Sequence, residues 1–429
     1  MKRNVLIIGA GGVAHVVAHK CAQNNAQLGD IHIASRTLSK CEAIIESVHE
    51  KGSLQRAGLL QAHQLDAMDI EATKFLIRAT RSNIVINVGS PFINMSVLSA
   101  CIDTGAAYMD TAIHEDRAKV CETPPWYANH EWKRRQACKE ARITAILGAG
   151  FDPGVVNAYA RYAMDTYFDD IESIDIIDVN AGSHGRYFAT NFDPEINFRE
   201  FVSTVWSWEN NAWKANQMFE HEKQWDLPVT GKCTTYLTGH DELHSMSQNL
   251  NVPNIRFWMG FSDHYINVFT VLKNLGLLSE KPVRTARGQE IVPLEVVKAV
   301  LPDPASLAPG YIGKTCIGDL IKGVKDGKPQ EVLIYNVSDH QVCHMEVGSQ
   351  AISYTAGVPV VAAALLIANG TWDVGRMVNV EELDAAPFIT LMNGMGLVTR
   401  VRHAQRDYIA EPQQHVVDKT SSSRVANYH

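Results

Sequence analysis

The sequence predicts an α/β protein in which a doubly wound parallel sheet carries an inserted α+β domain. Strand-like apolar runs alternate with helix-like segments over the first 150 residues. This pattern changes after about residue 157, where a polar, aromatic-rich stretch follows. A strongly apolar helix is then expected at residues 358–368, and it needs a large apolar partner. Alternating strands and helices are typical of a parallel sheet with helices on both faces.

The strand-like runs are short, and several are apolar throughout, as expected of strands that are buried on both faces. In the first part of the chain they lie at residues 5–8, 31–34, 60–65, 84–88, 107–110 and 144–147. In the inserted part, strands are expected at residues 174–179, 255–259, 332–337 and 341–347. His340 and His344 would therefore lie on a strand, and we expect no metal site there.

Composition and charge favour a cytoplasmic protein that acts on small molecules. The formal net charge of −8 argues against a nucleic acid or an anionic membrane as the main partner. No apolar run reaches the roughly 18 residues that a membrane span needs. The eight cysteines form no C-x-x-C pair, so we expect reduced thiols.

The first strand runs directly into a glycine-rich loop with the pattern G-x-G-x-x-A, formed by Gly9, Gly11 and Ala14. Gly9 permits the tight turn, and Gly11 lets a pyrophosphate approach the backbone. Gly12 and Val13 then open a helix whose N–H groups and dipole face the phosphates. A strand, this loop and a helix in that order predict a Rossmann-type dinucleotide site.

The end of the second strand favours NADP over NAD. NAD enzymes place an acidic residue there to bind the ribose hydroxyls, whereas this chain has Ser35, Arg36 and Thr37, followed by Lys40. Arg36 can pair with a 2′-phosphate and stack on adenine, the two hydroxyls can donate hydrogen bonds, and Lys40 adds positive charge. We therefore expect NADPH as the cofactor.

Later strand ends supply the remaining candidate contacts, because ligands of open α/β sheets bind at the carboxyl ends of the strands. Asp66 and Ala67 follow the third strand, near the expected adenine. The loop after the fourth strand should pass the ribose and the nicotinamide, and it comprises Asn87, Val88, Gly89, Ser90 and Pro91. We assign Ser90 and Pro91 to the substrate side of this loop.

These motifs, taken in order, resemble the saccharopine dehydrogenase/reductase superfamily over about residues 3–400. The most diagnostic of them is the Gly-Phe-Asp-Pro-Gly element at residues 150–154, which adds Phe151 to the cofactor contacts. The resemblance implies that the chain leaves the Rossmann domain near Phe151 and returns to it near Tyr354. The expected division is a NADP-binding domain at 1–155, an α+β substrate or dimerisation domain at 156–350, a return at 351–403 and a disordered tail at 404–429.

Within the superfamily, the chain is most similar to the carboxynorspermidine (carboxyspermidine) dehydrogenases of bacterial polyamine synthesis. The similarity lies in residues 87–91, 110–112 and 238–242 and in the aromatic insert around Glu200 and Trp206. It implies that L-aspartate β-semialdehyde condenses with a diamine, either 1,3-diaminopropane or putrescine, and that NADPH reduces the imine. We also expect a homodimer, the commonest assembly of soluble enzymes.

Such a reaction needs a proton shuttle, an anchor for the amino-acid carboxylate, and carboxylates or aromatic rings for the free ammonium. The catalytic candidates are Asp110, His114, Asp152 and Lys314. The other substrate candidates are Arg186, Tyr187, Asn191, Glu200 and Trp206. Residues 190–210 carry Arg199 as their one basic residue among several acids, which favours a diamine.

Two alternatives stay open at this stage. A related reductase could join another semialdehyde to an amino acid such as glutamate, which would require a second basic anchor. A non-catalytic NADPH-binding sensor would need the dinucleotide site and little else. About 200 further residues of folded, aromatic-rich sequence argue against the sensor, because ligand sites favour domain interfaces.

Overall fold

The computed structural model describes residues 3–116, 122–202, 204–404 and 406–412. The strands of this part of the chain are β1 (Asn4–Ile8), β2 (Ile31–Ser35), β3 (Leu60–Gln64), β4 (Ser82–Asn87), β5 (Ala107–Met109), β6 (Ala145–Leu147), β7 (Asp170–Asn180), β8 (Val205–Glu209), β9 (Ala212–Asn216), β10 (Glu222–Leu227), β11 (Gly231–Thr238), β12 (Asn254–Gly260), β13 (Val283–Arg284), β14 (Glu290–Ile291), β15 (Lys314–Lys325), β16 (Lys328–Asp339), β17 (Met377–Asn379), β18 (Thr399–His403) and β19 (Arg406–Ile409).

The α-helices of the same residues connect and cover these strands. They are α1 (Gly12–Gln23), α2 (Leu38–Glu50), α3 (Ile70–Ala79), α4 (Asn94–Thr104), α5 (Arg135–Ala141), α6 (Val155–Thr166), α7 (Pro194–Val202), α8 (Leu243–Asn249), α9 (Asp263–Asn274), α10 (Pro293–Val300), α11 (His340–Val347), α12 (Ala351–Ala368) and α13 (Ala385–Gly394).

The first sheet is parallel and doubly wound, which confirms the predicted fold class. Its seven strands follow the order β17-β6-β5-β4-β1-β2-β3. Each neighbouring pair in this order is parallel. The strand order reverses between β1 and β4, so the loops after these two strands diverge and leave a crevice at the carboxyl edge.

The second sheet is mixed and has ten strands in the order β10-β11-β12-β7-β15-β16-β18-β19, with β8 and β9 branching from β12. Its inner face packs against α6 and α8 through apolar side chains such as Ile176, Phe257 and Ile317. Because alternate residues of a strand point to opposite faces, this inner face also carries Asp178 of β7, and Thr315 and Asp319 of β15.

Helix α12 joins the two halves of the molecule and packs against α1, the helix that opens at the glycine-rich loop. A Cβ atom on Gly357 would lie 2.8 Å from the Val16 side chain, so the two helices approach each other closely. With a mean hydropathy of 2.0, α12 has the length and composition of a membrane span, but 83% of it is buried inside the protein.

Three predicted segments differ from the structure. Residues 341–347 form a helix, because the Asp339 side chain accepts from the N–H groups of Gln341 and Val342 and so caps α11. The return segment does not extend to residue 403, because β18 pairs with β16 in the ten-stranded sheet. In the expected tail, residues 406–409 form strand β19, and residues 413–429 lie outside the described residues.

Candidate active site

The glycine-rich loop has the geometry of a pyrophosphate cradle. Gly9 has φ +122°, and a Cβ atom there would lie 2.7 Å from the carbonyl oxygen of Val88. Gly12 packs against α12, since a Cβ atom there would meet the Ser353 hydroxyl at 2.5 Å. A Cβ atom on Gly11, in contrast, would meet no protein atom within 4 Å. The space beside Gly11 lies at the N-terminus of α1, next to half-buried Val13, and fits a phosphate group.

The turn after β2 presents two cations for a 2′-phosphate. The Arg36 side chain is exposed, and Lys40 lies 3.5 Å from Asp303 of the second half of the chain. The Ser35 hydroxyl is used inside the turn, where it accepts from the Thr37 N–H and donates to the Thr37 carbonyl oxygen. Ser35 therefore shapes the turn, and Arg36 and Lys40 carry its positive charge.

Arg36→Asp is therefore expected to erode the preference for NADPH over NADH. The carboxylate would repel the 2′-phosphate and would accept hydrogen bonds from ribose hydroxyls, as in NAD-binding sites. We expect the ratio of the two kcat/KM values to fall by about 10²-fold, which corresponds to the loss of one charge-assisted pair. Arg78→Asp, at an exposed residue near the end of α3, serves as the control. Unchanged discrimination in Arg36→Asp would remove Arg36 from this role.

The loops at the ends of β3 and β4 border the same crevice. Asp66 is exposed, its carboxylate accepts from the Met68 N–H, and the Ala67 carbonyl oxygen accepts from Ser96. Asn87 is buried, and its amide donates to Asn94 at 2.8 Å. Asn94 in turn donates to the carbonyl oxygen of Ala112 at 2.8 Å. This chain of amides fixes residues 87–91 relative to the segment that follows β5.

Asp110 braces the loop that follows β6. Its Oδ1 accepts from the Gly148 N–H at 2.7 Å, and its Oδ2 accepts from the Tyr108 hydroxyl at 2.8 Å. Burial raises the pKa of Asp110 to about 7, although the Gly148 N–H opposes this shift. With both oxygens engaged, Asp110 is placed to position the loop, in which Phe151 is buried in the core and Asp152 is half-buried.

Asp152 belongs to a group of charged side chains between the two sheets, which we call the acidic cluster. The cluster consists of Asp152, Asp178, Glu200, Asp241, Glu242 and Asp319 around His240. These residues come from the loop after β6, from β7, α7 and β15, and from the segment between β11 and α8. Within the cluster, His240 is the one side chain that can carry a positive charge.

The carboxylates of the cluster are held in a setting that disfavours their charge. Burial raises the pKa of Asp178 and of Asp241 to about 6 each, and that of Glu200 to about 8. Burial and the neighbouring Asp178 raise the pKa of Asp152 well above its ordinary value. The pKa of Asp319 is raised in the same direction by burial and by Glu242. A cation placed among these groups would reverse the shifts.

Several oxygens of the cluster have no hydrogen-bond partner among the described residues. They are both carboxylate oxygens of Asp319, Oδ1 of Asp178 and Oε1 of Glu242. Asp319 and Glu242 are fully buried, whereas Asp178 is half-buried. Buried acceptors without donors are costly, so this arrangement calls for a ligand that brings several N–H donors.

The loop after β7 covers the cleft from the second half of the chain. The Asn191 side chain accepts from the Tyr311 hydroxyl at 2.7 Å, and Tyr311 stacks on His340 with ring centroids 3.7 Å apart. Arg186 and Tyr187 are exposed on the same loop. Trp206 of β8 is half-buried and lies next to Gly239, one residue before His240.

The catalytic candidates from the sequence do not all meet at the cluster. Lys314 is exposed on the outer face of the ten-stranded sheet, near Asp339, Tyr335, Arg400 and Arg402, so the structure does not bring it to the acidic cluster. It precedes inward-facing Thr315 by one residue, which places it on the opposite face. The ring of His114 contacts the carbonyl oxygen of Pro91 at 3.0 Å, so it borders the cofactor loop. Ser90 and Pro91 lie on that loop.

Sequence reasoning missed Asp178, Asp319 and the role of residues 240–242. The available signal was an aspartate inside an apolar strand, as in Ile317-Gly318-Asp319-Leu320-Ile321. Charged residues are almost never fully buried unless they are paired, so such a position indicates a function.

Comparisons with known proteins identify the family of this chain. The saccharopine dehydrogenase NADP binding domain matches residues 5–146, and the saccharopine dehydrogenase C-terminal domain matches residues 150–397. A carboxynorspermidine synthase of Vibrio alginolyticus is 45% identical over 97% of this chain and 99% of its own length. A carboxyaminopropylagmatine dehydrogenase of Synechocystis sp. is 42% identical over 92% of this chain and 96% of its own.

The fold has a solved counterpart. Saccharopine dehydrogenase (L-Glu forming) from Saccharomyces cerevisiae superposes with a TM-score of 0.66 at 13% identity, covering 94% of this chain and 99% of that one. The resemblance and the NADP cofactor inferred from the sequence are both confirmed. The chain belongs to the saccharopine dehydrogenase family and is an NADP-dependent oxidoreductase.

Proposed function

We propose that the protein catalyses the NADPH-dependent reductive condensation of L-aspartate β-semialdehyde with a diamine, giving carboxynorspermidine or carboxyspermidine in polyamine biosynthesis. The acidic cluster carries this proposal. It adjoins the segment after β5 at the carboxyl edge of the parallel sheet, because the Asp241 carboxylate accepts from the Ile113 N–H at 2.7 Å, and the nicotinamide would lie at this edge. It also contains six carboxylates and one imidazole, with buried acceptor oxygens left without donors. A diammonium ligand supplies both the charge and the N–H groups that this pocket lacks.

An amino acid fits the cluster less well as the amine substrate. Its α-carboxylate would have to enter a region of negative charge, and it would need a basic anchor there. Arg199, the basic residue of the 190–210 segment, is already paired with Glu115 and Glu280 at 2.8 Å each. This pairing supports a diamine over glutamate or another amino acid.

The semialdehyde brings one α-carboxylate of its own. Arg186 supports its binding, because its side chain is exposed on the loop after β7 and makes no ion pair with the described residues. Asn191 and Tyr187, on the same loop, complete the proposed carboxylate side of the site. The proposed ammonium side contains Glu200, which interacts with His240, and Trp206, whose backbone adjoins Gly239.

The experiment is an absorbance assay of NADPH oxidation with each substrate alone and with both together. We expect turnover only when aspartate β-semialdehyde and a diamine are both present, and the amines to compare are 1,3-diaminopropane, putrescine and agmatine. Agmatine is included because the name of one relative contains it. If glutamate replaces the diamine, the amino-acid alternative holds. If NADPH binds but no aldehyde–amine pair turns over, the protein acts as a cofactor sensor.

Diamine binding is expected to weaken as the pH falls. The pKa values are about 6 for Asp178 and Asp241 and about 8 for Glu200. Each carboxyl becomes neutral as the pH falls below its pKa, and it then stops attracting ammonium groups. Calorimetry with 1,3-diaminopropane and NADP⁺ should show a Kd at least about 10-fold higher at low pH, which corresponds to the loss of one carboxylate pair. Propylamine, with one charge, should show a weaker dependence. A pH-independent Kd would contradict the cluster's role.

The cytoplasmic location and the homodimeric assembly stay predictions from the sequence. Small-molecule substrates fit the buried acidic cluster, whose unpaired oxygens can bind ammonium groups.

A further inference from the structure

The loop between β11 and α8 holds a histidine–carboxylate pair. Nδ1 of His240 lies 2.7 Å from Oε2 of Glu242. The imidazole is also stacked on Phe257, with ring centroids 4.1 Å apart and an interplanar angle of 11°. The carboxylate and the aromatic ring together fix the orientation of the imidazole. A ring held in this way presents its second nitrogen, Nε2, in one direction.

Nε2 of His240 makes no hydrogen bond with the described residues, and 13% of the side chain is exposed. Two other histidines near the cleft also have one ring nitrogen engaged, but burial lowers the pKa of both, so neither is favoured as the charged imidazolium. The ring of His114 contacts the Pro91 carbonyl oxygen, and Nδ1 of His244 accepts from the Trp126 N–H at 3.1 Å. His244 is also enclosed between Trp126 and Trp213, with centroid distances of 4.2 and 4.8 Å.

We propose that His240 is the general acid of the condensation, that its Nε2–H protonates the hydroxyl of the carbinolamine intermediate, and that Glu242 is the positioning residue that holds the ring. This inference rests on the proposed function. It assigns a chemical role to a residue pair that the acidic character of the pocket alone does not explain.

The proton balance of the step can be written with groups of the cluster. A carboxylate beside His240, for which Asp152 is the candidate, takes a proton from the substrate ammonium, so that the free amine can attack the aldehyde carbon. The imidazolium of His240 then gives its proton to the carbinolamine hydroxyl, the C–O bond breaks, and water leaves. The iminium ion accepts a hydride from NADPH and becomes a secondary amine. The protonated carboxyl returns its proton to His240.

The negative charges around His240 favour its protonated form, the imidazolium, which can donate a proton. Burial alone lowers the pKa of His240, but the Glu242 carboxylate, with Asp152 and Glu200, raises it well above 6.5. Asp178 of β7 and Asp241 also interact with the imidazolium, and His244 of α8 is the neutral neighbour. The acid form therefore dominates at neutral pH and is lost as the pH rises through the raised pKa.

The test compares His240→Gln and Glu242→Gln with the wild type in the NADPH-oxidation assay. In His240→Gln, kcat should fall by about 10²-fold, the usual contribution of a general acid. The diamine KM should not rise, because the substitution removes a positive charge from the cluster. The fall of kcat on the alkaline side of the wild-type pH profile should also disappear.

Glu242→Gln separates positioning from folding. The amide can still accept a hydrogen bond from Nδ1, but the loss of its charge lowers the pKa of His240. The alkaline limb should therefore move to lower pH and remain present. His49→Gln, at an exposed histidine near the end of α2, is the matched control and should behave as wild type.

The outcomes separate the two proposals. If the wild type oxidises NADPH with semialdehyde and diamine, but His240→Gln keeps both kcat and the alkaline limb, the role of His240 is refuted and the proposed function stands. If the alkaline limb of the pH profile does not move in Glu242→Gln, the proposed role of Glu242 in holding and charging His240 is also refuted. If the wild type shows no turnover with any aldehyde–amine pair, the proposed function fails and the inference fails with it.

Discussion

Asp178→Asn is expected to raise the diamine KM by about 10–100-fold and, at the same time, to make the ligand-free protein more stable. The Asp178 carboxylate points from the inner face of β7 into the acidic cluster, and its Oδ1 has no donor among the described residues. An amide of the same shape cannot form a charge-assisted pair with an ammonium group, which is worth about 1.5–3 kcal/mol. Steady-state kinetics with varied diamine would measure this loss.

The gain in stability follows from the same carboxylate. Its folded-state pKa, raised to about 6 by burial, lies above the ordinary aspartate value of 3.8. A carboxyl with a raised folded-state pKa lowers the free energy of unfolding once the pH exceeds its unfolded-state pKa. The destabilisation grows with pH and is complete above about 6, where the folded protein carries the buried charge. Removing the charge should therefore raise the Tm by about 1–3 °C near neutral pH, with a smaller gain at acid pH.

Asp175→Asn is the matched control, three residues earlier on the same strand. Asp175 lies on the outer face, where it accepts from Trp258 Nε1 at 2.8 Å and pairs with Lys223 at 3.0 Å. Its substitution should lower the Tm and leave the diamine KM unchanged. If Asp178→Asn keeps the wild-type diamine KM, or if both variants change the KM alike, the inner face of β7 does not bind the diamine.

The second large effect is expected at the glycine-rich loop, where one alanine substitution should weaken NADPH binding and another should destabilise the fold. Gly11→Ala adds a Cβ atom that meets no protein atom within 4 Å, at a residue with φ −95° that alanine tolerates. We expect its Tm to match the wild type. The methyl group would occupy the space beside the pyrophosphate, so the NADPH Kd should rise by about 10–100-fold.

Gly9→Ala should act on the fold itself. The residue has φ +122°, and the new Cβ atom would lie 2.7 Å from the carbonyl oxygen of Val88 and 2.9 Å from the Gly89 nitrogen. Because backbone cannot move aside cheaply, the Tm should fall sharply. Fluorescence titration with NADPH and thermal melts of both variants measure the contrast. Weak NADPH binding in Gly11→Ala together with a lowered Tm would mean that the space beside Gly11 is needed for folding.

The cofactor half of the molecule could be predicted from sequence because its determinants are contiguous. Its candidate contacts follow strands that are recognisable in the sequence as short apolar runs. Gly9 and Gly11 follow the first strand, and the Ser35-Arg36-Thr37 turn follows the second. The substrate half could not be predicted in the same way. Asp178 and Asp319 come from strands whose pairing brings together residues about 140 positions apart, and the pairing register is not visible in either segment.

The separation of Lys314 from the acidic cluster was hidden from the sequence for the same reason. Strand β15 exposes Lys314 on one face and buries Thr315 on the other, so a shift of one residue decides which side chain faces the cleft. The sequence around residue 314 offers no sign of which face is covered by α6. The segment 341–347 was predicted as a strand for a different, local reason. It is a short helix with little apolar periodicity, and its helix signals lie at its ends. Asp339 caps its N-terminus, and Gly348, with φ +76°, ends it.

The close packing of α1 against α12 bears on how such an enzyme could be divided or recombined. The phosphate-binding helix α1 is held by residues that lie more than 300 positions later in the chain. Its Lys20 pairs with Glu346 and donates to the Met395 carbonyl oxygen at 2.7 Å, and its Gly12 adjoins Ser353. A fragment that ends near residue 150 would keep the nucleotide fingerprint but expose an apolar flank of α1. The dinucleotide unit of this chain is therefore not a portable module, and a graft of it onto another scaffold would need the C-terminal helices as well.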